Sequence, residues 1–456
     1  MSTKIIASAA QTRVANHESM VPNRGLADWL DYQQRVHPLA IELGLDRVRE
    51  VWRRLGSPTP ARTVITVGGT NGKGSTVAFL EAMLLAGGQS VGAYTSPHLL
   101  NYNERVRVDG MDADDAALID AFERIERARG DIALTYFEYG TLAALLIFAE
   151  SRLDVALLEV GLGGRLDAVN IIDADAAIVT TVDFDHQDWL GNDRDSIGRE
   201  KAGILRAGRP AILGDAAVPR GLTDEADRVG ADVRIAERDF HVEIRADDWL
   251  WREDGVELVL PHPTLDAPCQ HANAAAAIAA LHALRAQLGW SPQAIARGVV
   301  AAHAGARLQR FAGEPELIVD VAHNPQAARV LATWLRAHAA AGRTLAVFGA
   351  LADKDVRGIV EPLSGVVDAW HLADLAHESP RGLSTGDLGE LVRSTRVDVD
   401  VAGAHENTER ALGAAFASAK PADRVIAFGS FFIAAAALRF AEARGFIVGQ
   451  GREKRR

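Results

Sequence analysis

Residues 66–76 read TVGGTNGKGST, a glycine-rich run with one lysine and two hydroxyls at its end. Closely spaced backbone amides that open a helix suit a phosphate, and Lys73 would neutralise its charge. The run is not the common nucleotide loop G-x-x-x-x-G-K-[ST]. Val67 stands where that loop has its first glycine, Gly74 follows Lys73, and Ser75 and Thr76 come one place late. The bland alternative is a tight turn beside a surface lysine. The strand-like TVITVGG before the loop and the helical STVAFLEAMLLAGG after it favour the phosphate site.

Other groups that could do chemistry follow apolar, strand-like runs. EVGLGGRLDAVN places Glu159 and Asp167 around a second glycine turn. Glu159 reads either as an oxygen ligand for Mg²⁺ or as a capping or salt-bridged residue. TTVDFDHQDWLG gathers Asp183, Asp185, His186 and Asp188, either a solvated acidic turn or part of a metal site. SIGREKAGILRAG has amphipathic helical spacing, and Lys201 on it reads, taken alone, as a surface charge. DVAHNP brings Asp320 and His323 to the end of a later strand, where Asn and Pro also suit a simple helix start.

The elements that must position these groups alternate. LADWLDYQQRVHPLAIELGLDRVREVWRRLG has helical spacing up to Gly56, and FEYGTLAALLIFAE is a strongly apolar helix. The strand-like TVITVGG, SVGAYTS, DVALLEV and AAIVTTV imply a parallel sheet covered on both faces. Residues 230–268 turn to short alternating pieces rich in Trp and Pro, a small β excursion, and the Ala-rich HANAAAAIAALHALRAQLG returns to helix. After AAHAGARLQRFAGEPE, five strand–helix units follow, whose strands are ELIVDVA, RTLAVFGA, DAWHLADL, VDVDVA and RVIAFGSF. The expected organisation is a tail over 1–23, an α/β phosphate-loop domain over 24–304, a linker over 305–315 and a Rossmann-like α/β domain over 316–456. Ligands belong at the strands' carboxyl ends.

Composition narrows the classes. A chain of 456 residues, 48% hydrophobic and 24% charged, fits an ordinary globular protein of two domains. Its 49 basic against 61 acidic residues leave a net charge of −12, which argues against nucleic acid or an anionic membrane as partner. The one cysteine, Cys269, excludes an internal disulfide and a multi-cysteine zinc site. The apolar KIIASAA is short for a signal peptide, and no run approaches a membrane span. A cytoplasmic protein is expected.

Taken together, GTNGKGS, YTSPHL, ERVRV, LTYFEYGTL, LEVGLGGRLDAVN, DHQDWLG, REKAGI, DVAHNP, DKD and FGSF resemble the folylpolyglutamate synthase family of Mur-type ATP-dependent ligases. The resemblance runs from about Leu26 to the last helix. It implies a monomer that phosphorylates a pterin carboxylate with ATP and lets the amine of L-glutamate displace the phosphate. LADWLDYQ and TYFEYG match the branch of the family that also uses dihydropteroate. By resemblance, Gly72, Lys73, Gly74 and Ser75 hold the phosphates, with Asn273, Arg307 and Asp320 completing the ATP site. Ser96, Glu159, His186 and a carbamylated Lys201 would bind two Mg²⁺ ions. Thr135, Tyr136, Phe137, Glu138 and Asp167 correspond to the pterin pocket; Asp167, His323 and Ser430 correspond to the glutamate site.

Two departures bear on this. GARLQR stands where the family usually has Pro-Gly-Arg, and Phe432 stands where a His or Tyr is common. Among rival readings, a cell-wall Mur ligase needs a further domain of roughly 100 residues before the loop. Only 67 residues precede Gly68, and they read as helices. A nucleotide switch without enzymatic activity would explain the loop but not Glu159, His186 and Asp320.

Overall fold

The computed structural model describes residues 24–37, 39, 42–395 and 397–449; the tail expected over 1–23 lies outside them. The first sheet contains β1 (Ala61–Gly68), β2 (Val91–Tyr94), β3 (Val106–Val108), β4 (Met111–Asp112), β5 (Leu153–Glu159), β6 (Ala176–Val179), β7 (Pro210–Leu213) and β8 (Asp232–Ile235). Its spatial order is β4-β3-β2-β5-β1-β6-β7-β8. All pairs are parallel except those of the β3–β4 edge.

Side chains of a strand alternate between faces, and here both faces are apolar. Val64, Ala156 and Leu158 point to the face covered by the helix Tyr136–Ser151. Ile65, Val67, Val155 and Leu157 point to the other, under the helices Lys73–Ala86 and Gln270–Ala283. The Ala-rich run is thus a packed helix, every residue from Ala274 to Leu281 being buried. The expected β excursion is smaller than 230–268. β8 extends the main sheet, and only β9 (Phe240–Ile244), β10 (Trp249–Glu253) and β11 (Val256–Leu260) form a separate antiparallel sheet.

The second sheet holds β12 (Gln309–Ala312), β13 (Glu316–Val319), β14 (Thr344–Phe348), β15 (Ala369–Ala373), β16 (Val401–His405), β17 (Arg424–Phe428) and β18 (Ile447–Val448). Their order is β16-β15-β14-β17-β13-β12-β18, with β12 antiparallel to both its neighbours. Ile318, Phe348 and Ile426 pack on one face, and Leu317, Val347 and Val425 on the other.

Three details differ from expectation. The helical run over 26–56 is two helices, Leu26–Val36 and Asp46–Arg54; Pro38, just past the first, has no N–H for the helical ladder. The span 305–315 is not only a linker, because β12 pairs into the second sheet. The strand expected at VDVDVA, residues 397–402, starts later and runs Val401–His405, because the aspartates before it are poor strand formers. Among the described residues no helix is long and apolar enough to cross a membrane.

Candidate active site

The carboxyl ends of both sheets open onto one cleft of about 1010 Å³. The first domain supplies residues 69–74 after β1, Ser96 after β2, Glu159 at the end of β5, and Asp185 and His186 beyond β6. Arg307, Asp320, His323, Lys354, Arg381 and Ser430 line the same cleft from the second. Loops at the carboxyl ends of parallel strands are where such sheets place ligands.

The glycine loop is shaped by close approach. Gly69 has φ +142°, and a Cβ there would collide with the Thr180 hydroxyl. Gly72 is left-handed at φ 89° and precedes the helix Lys73–Ala86 with no side-chain cap. The first-turn N–H groups of that helix therefore have no intrahelical acceptor and can serve an anion. Lys73 Nζ folds over the loop, donating to the carbonyls of Gly69 (3.1 Å) and Thr70 (3.2 Å). Two residues named for the nucleotide site also brace the loop from behind. The Ser75 hydroxyl, buried, accepts from Gln270 Nε2 at 3.3 Å, and Asn273 Nδ2 donates to Gln270 Oε1 at 3.0 Å. Asn273 Oδ1 packs directly against Gly72, so the Gln270–Ala283 helix braces the loop.

Beside the loop lies a set of ionisable groups drawn out of water. Glu159 is buried and accepts the Ser96 backbone N–H at 3.2 Å. Burial raises its pKa, opposed by the charge of Lys73. Glu159 Oε2 and Arg307 Nη2 lie 3.6 Å and 3.8 Å from where a Cβ on Gly74 would sit, so both crowd the start of the phosphate helix. His186 has its pKa pushed down to about 4, chiefly by burial, and is neutral at physiological pH, the form that can ligate a metal. Lys201 is not the surface lysine its motif suggests when read alone. It is 3% exposed and faces the cleft because Ile197, one helical turn earlier, points inward with it. Burial first, and the charge of Lys73 second, lower its pKa to about 7. Among the described residues no hydrogen bond or salt bridge reaches its ammonium, and the Asp185 carboxylate acts on it only through its charge.

Among the described residues no three His, Cys, Asp or Glu side chains form a ready-made metal cage. The donors present still fit Mg²⁺, a hard cation that takes few protein oxygens and completes its shell with water and phosphate. Glu159 is a buried carboxylate with a single protein hydrogen-bond donor, and it opens onto the phosphate loop.

The second domain's groups are more fully partnered. Asp320 accepts backbone N–H groups of Leu308 and Ala322, both at 2.7 Å. Ser430 caps the helix Phe431–Ala443 by accepting from Ile433 N at 3.1 Å. His323 Nδ1 meets the Val321 carbonyl at 2.8 Å, and its Nε2 faces Asp185 at 3.4 Å. The Arg307 guanidinium is half-buried near Phe431, 5.7 Å from the ring centroid.

At the far end, Ala27, Leu30, Asp31 and Gln34 of LADWLDYQ line the cleft. Of the TYFEYG group only Tyr136 does so. Thr135 and Glu138 form a reciprocal capping box at the start of their helix, 3.2 Å and 2.7 Å, and Phe137 packs on Tyr94. The T-x-x-E spacing was a legible sign of that structural role. Asp167 is likewise off the cleft wall. It accepts from Leu162 N (2.8 Å) and Val169 N (3.1 Å), and burial raises its pKa to about 7. Thr135, Phe137, Glu138 and Asp167 thus stand behind the residues that line the cleft, Phe137 and Asp167 directly against Gly161. Arg105, by contrast, was not singled out, yet it lines the cleft with its guanidinium 5.2 Å and 5.3 Å from the Tyr102 and Tyr136 rings. The ERVRV motif was its only signal. Lys354 of the DKD motif was also passed over.

Comparison with known proteins agrees with this geometry. Residues 306–431 match the Mur ligase, glutamate ligase domain, family model. The chain is 45% identical over 420 residues to dihydrofolate synthase/folylpolyglutamate synthase of Escherichia coli (strain K12), covering 92% of this chain and 96% of that protein. Its structure is similar to that of E. coli FolC in complex with DHPP and ADP, with a TM-score of 0.86 and 44% identity over 93% of this chain and 99% of the other. It is also similar to a bifunctional folylpolyglutamate synthase/dihydrofolate synthase with Mn, AMPPNP and L-glutamate bound. There the TM-score is 0.83 at 45% identity, covering 92% and 98%.

Proposed function

The chain belongs to the dihydrofolate synthase/folylpolyglutamate synthase family of ATP-dependent ligases, and from that premise we propose that one cleft runs both family reactions. L-glutamate is joined to dihydropteroate, giving dihydrofolate, and to tetrahydrofolate glutamates. The observation that carries this is the convergence of a phosphate loop from one domain with Arg307 and Asp320 from the other. Relatives that hold ADP with DHPP, and AMPPNP with L-glutamate and Mn, support the same ligand set.

A carboxylate does not react with an amine, whereas an acyl phosphate does. ATP therefore gives its γ-phosphoryl group to the pterin carboxylate and leaves as ADP. The glutamate amine then attacks the acyl carbon, and the amide forms as phosphate departs and the amine loses its proton. Lys73 and the first-turn amides hold the phosphates and stabilise charge as the phosphoryl group moves. Arg307 and Asp320 close over the nucleotide from the second domain. Leu30, Tyr136 and Arg105 clasp the pterin end, and His323 and Ser430 stand where the amino acid enters. Ser96, Glu159, His186 and Lys201 would hold Mg²⁺, which when bound screens the phosphate charge.

Lys201 serves that site as a carbamate. A buried lysine with a pKa near 7, whose ammonium has no hydrogen-bond or salt-bridge partner among the described residues, supports this, because the neutral amine is the form that adds carbon dioxide. The protein acts as a monomer, as the family resemblance implies, and a lone thiol suits the cytoplasm. The test is product analysis with purified protein, ATP, Mg²⁺, labelled glutamate and either dihydropteroate or tetrahydrofolate. Both acceptors should be glutamylated with one ADP released per glutamate. Products from tetrahydrofolate alone would reduce the activity to the folate-only branch.

A further inference from the structure

The turn beyond β6 offers more than His186. The side chain of Asp185, one residue earlier, is 9% exposed, and its carboxylate has four partners. Oδ1 accepts the His186 backbone N–H at 2.9 Å and the Lys354 ammonium at 2.6 Å. Oδ2 accepts from Asn324 Nδ2 at 3.3 Å and lies 3.4 Å from His323 Nε2. Three of the four belong to the second domain. Lys354 is equally buried, and its other charged neighbour is Asp353 at 3.5 Å. The contact continues to both sides. Asn71 of the phosphate loop and Asn324 exchange amide hydrogen bonds at 3.1 Å and 2.9 Å, and Arg329 reaches Asp183 at 2.8 Å.

His186 itself is left-handed, with φ 51° and ψ 41°. A non-glycine residue gives up about 1 kcal/mol to sit there and stays only when its surroundings fix it. The Asp185 carboxylate fixes the His186 N–H, and the second domain fixes the carboxylate.

We propose that Asp185 is a positioning residue that couples docking of the second domain to the orientation of His186. With the domains together, Lys354, Asn324 and His323 hold the carboxylate where it braces the turn. When the second domain swings away, those three partners leave with it and the brace is lost. The site is then assembled only in the closed form, and the phosphate loop senses the same event through Asn71 and Asn324. This rests on the reading that the cleft is a ligase site with His186 on its metal side.

The test uses the full chain with Asp185→Asn, Lys354→Met and the double variant, each checked by thermal melting. Each single change should lower kcat for dihydrofolate formation by about 10-fold, and the double variant should lose little more than the worse single, as coupled residues do. The Mg²⁺ concentration for half-maximal rate should rise by about 5-fold in each, a readout that a merely structural role leaves unmoved. X-ray scattering with ADP and Mg²⁺ should show Asp185→Asn less compact than the wild type. Losses that multiply in the double variant, or a lowered melting temperature with unchanged Mg²⁺ dependence, would overturn the proposal. If Asp185→Asn does not fold, Lys354→Met, which alters only the second domain, decides the matter by its Mg²⁺ dependence. A wild-type protein that forms no dihydrofolate would instead overturn the functional reading itself.

Discussion

The two sheets present their carboxyl ends to the same cleft in different ways. On the first domain's side, Glu159 and Lys201 are buried with few protein partners, one pushed up in pKa and the other pushed down to about 7. On the second domain's side, Asp320 has both carboxylate oxygens on backbone N–H groups, Ser430 caps a helix, and Lys354 is held by Asp185. Buried charged groups are normally paired closely, so two with so few protein partners beside a phosphate loop mark where a ligand completes the structure. The satisfied side makes shape and docking. The comparison thus separates a chemical wall from a closing wall.

That separation is broken most directly at the chemical wall. Lys73→Ala should lower turnover by about 10²- to 10³-fold, the scale for removing a donor that stabilises developing charge. Steady-state rates on a correctly folded variant check this, and near-normal turnover would remove the phosphate assignment. Lys201→Ala should follow at roughly 10- to 100-fold, as for loss of groups that support a metal. Acetate in the assay should restore part of that rate by filling the vacated ligand position. Lys201→Arg should stay inactive, because a guanidinium keeps its charge and cannot be carbamylated. An active Lys201→Arg enzyme would make the lysine an ordinary buried cation.

The closing wall should answer more mildly and in another parameter. Asp320→Ala leaves the N–H groups of Leu308 and Ala322 without acceptors. Unpairing buried groups costs about 1–3 kcal/mol, and the Arg307 loop they hold should loosen. The KM for ATP should therefore rise about 10-fold with a smaller change in kcat. A fall in kcat as large as that of Lys73→Ala would erase the distinction between the walls.

How much of this the sequence disclosed follows the same division. The glycine loop, the paired strand ends and both α/β halves were legible, because alternating apolar periods and glycine spacing are local properties. The burial of Lys201 was not. Its own motif shows a charged helix, and only the packing of Ile197, Gly198 and Ala202 against the first domain reveals which face turns inward. Asp185 and Lys354 lie 169 residues apart, and a pairing at that separation leaves no mark in either motif. Thr135 and Glu138 were open to reading as a capping box from spacing alone, but the resemblance of TYFEYG to a ligand pocket outweighed it. The strand β12 hid in a stretch whose glycines and proline look like a connector.

The smallest expected effect concerns Asp167, which stands behind Gly161 of the cleft and is held by backbone contacts. Burial raises its carboxyl from 3.8 to about 7, so the folded protein holds that proton over a range where the unfolded chain has released it. Its stabilising contribution is complete below pH 3.8 and is lost as pH rises through about 7. Lys201 has the opposite sign: the lowered value burdens the folded state with a buried charge, a burden that grows as pH falls from 10.5 to about 7 and is constant below that. Measurements at about pH 4.5 and pH 5.5 therefore separate Asp167 from Lys201, since both lie more than a unit below the folded value for Lys201. His186, lowered to about 4, gains stability over the same interval and opposes the fall, so the share of Asp167 is read as the wild-type change minus that of Asp167→Asn, roughly 1.4 kcal/mol per pH unit at most. Asp167→Asn cannot ionise, so relative to wild type its melting temperature should rise as pH goes from the lower to the higher condition. Its loss of one acceptor, for Leu162 or Val169, shifts both melting temperatures together and cancels in the comparison. Equal pH sensitivity in the two proteins would mean that Asp167 is ionised in the fold, and that its two backbone donors outweigh its burial.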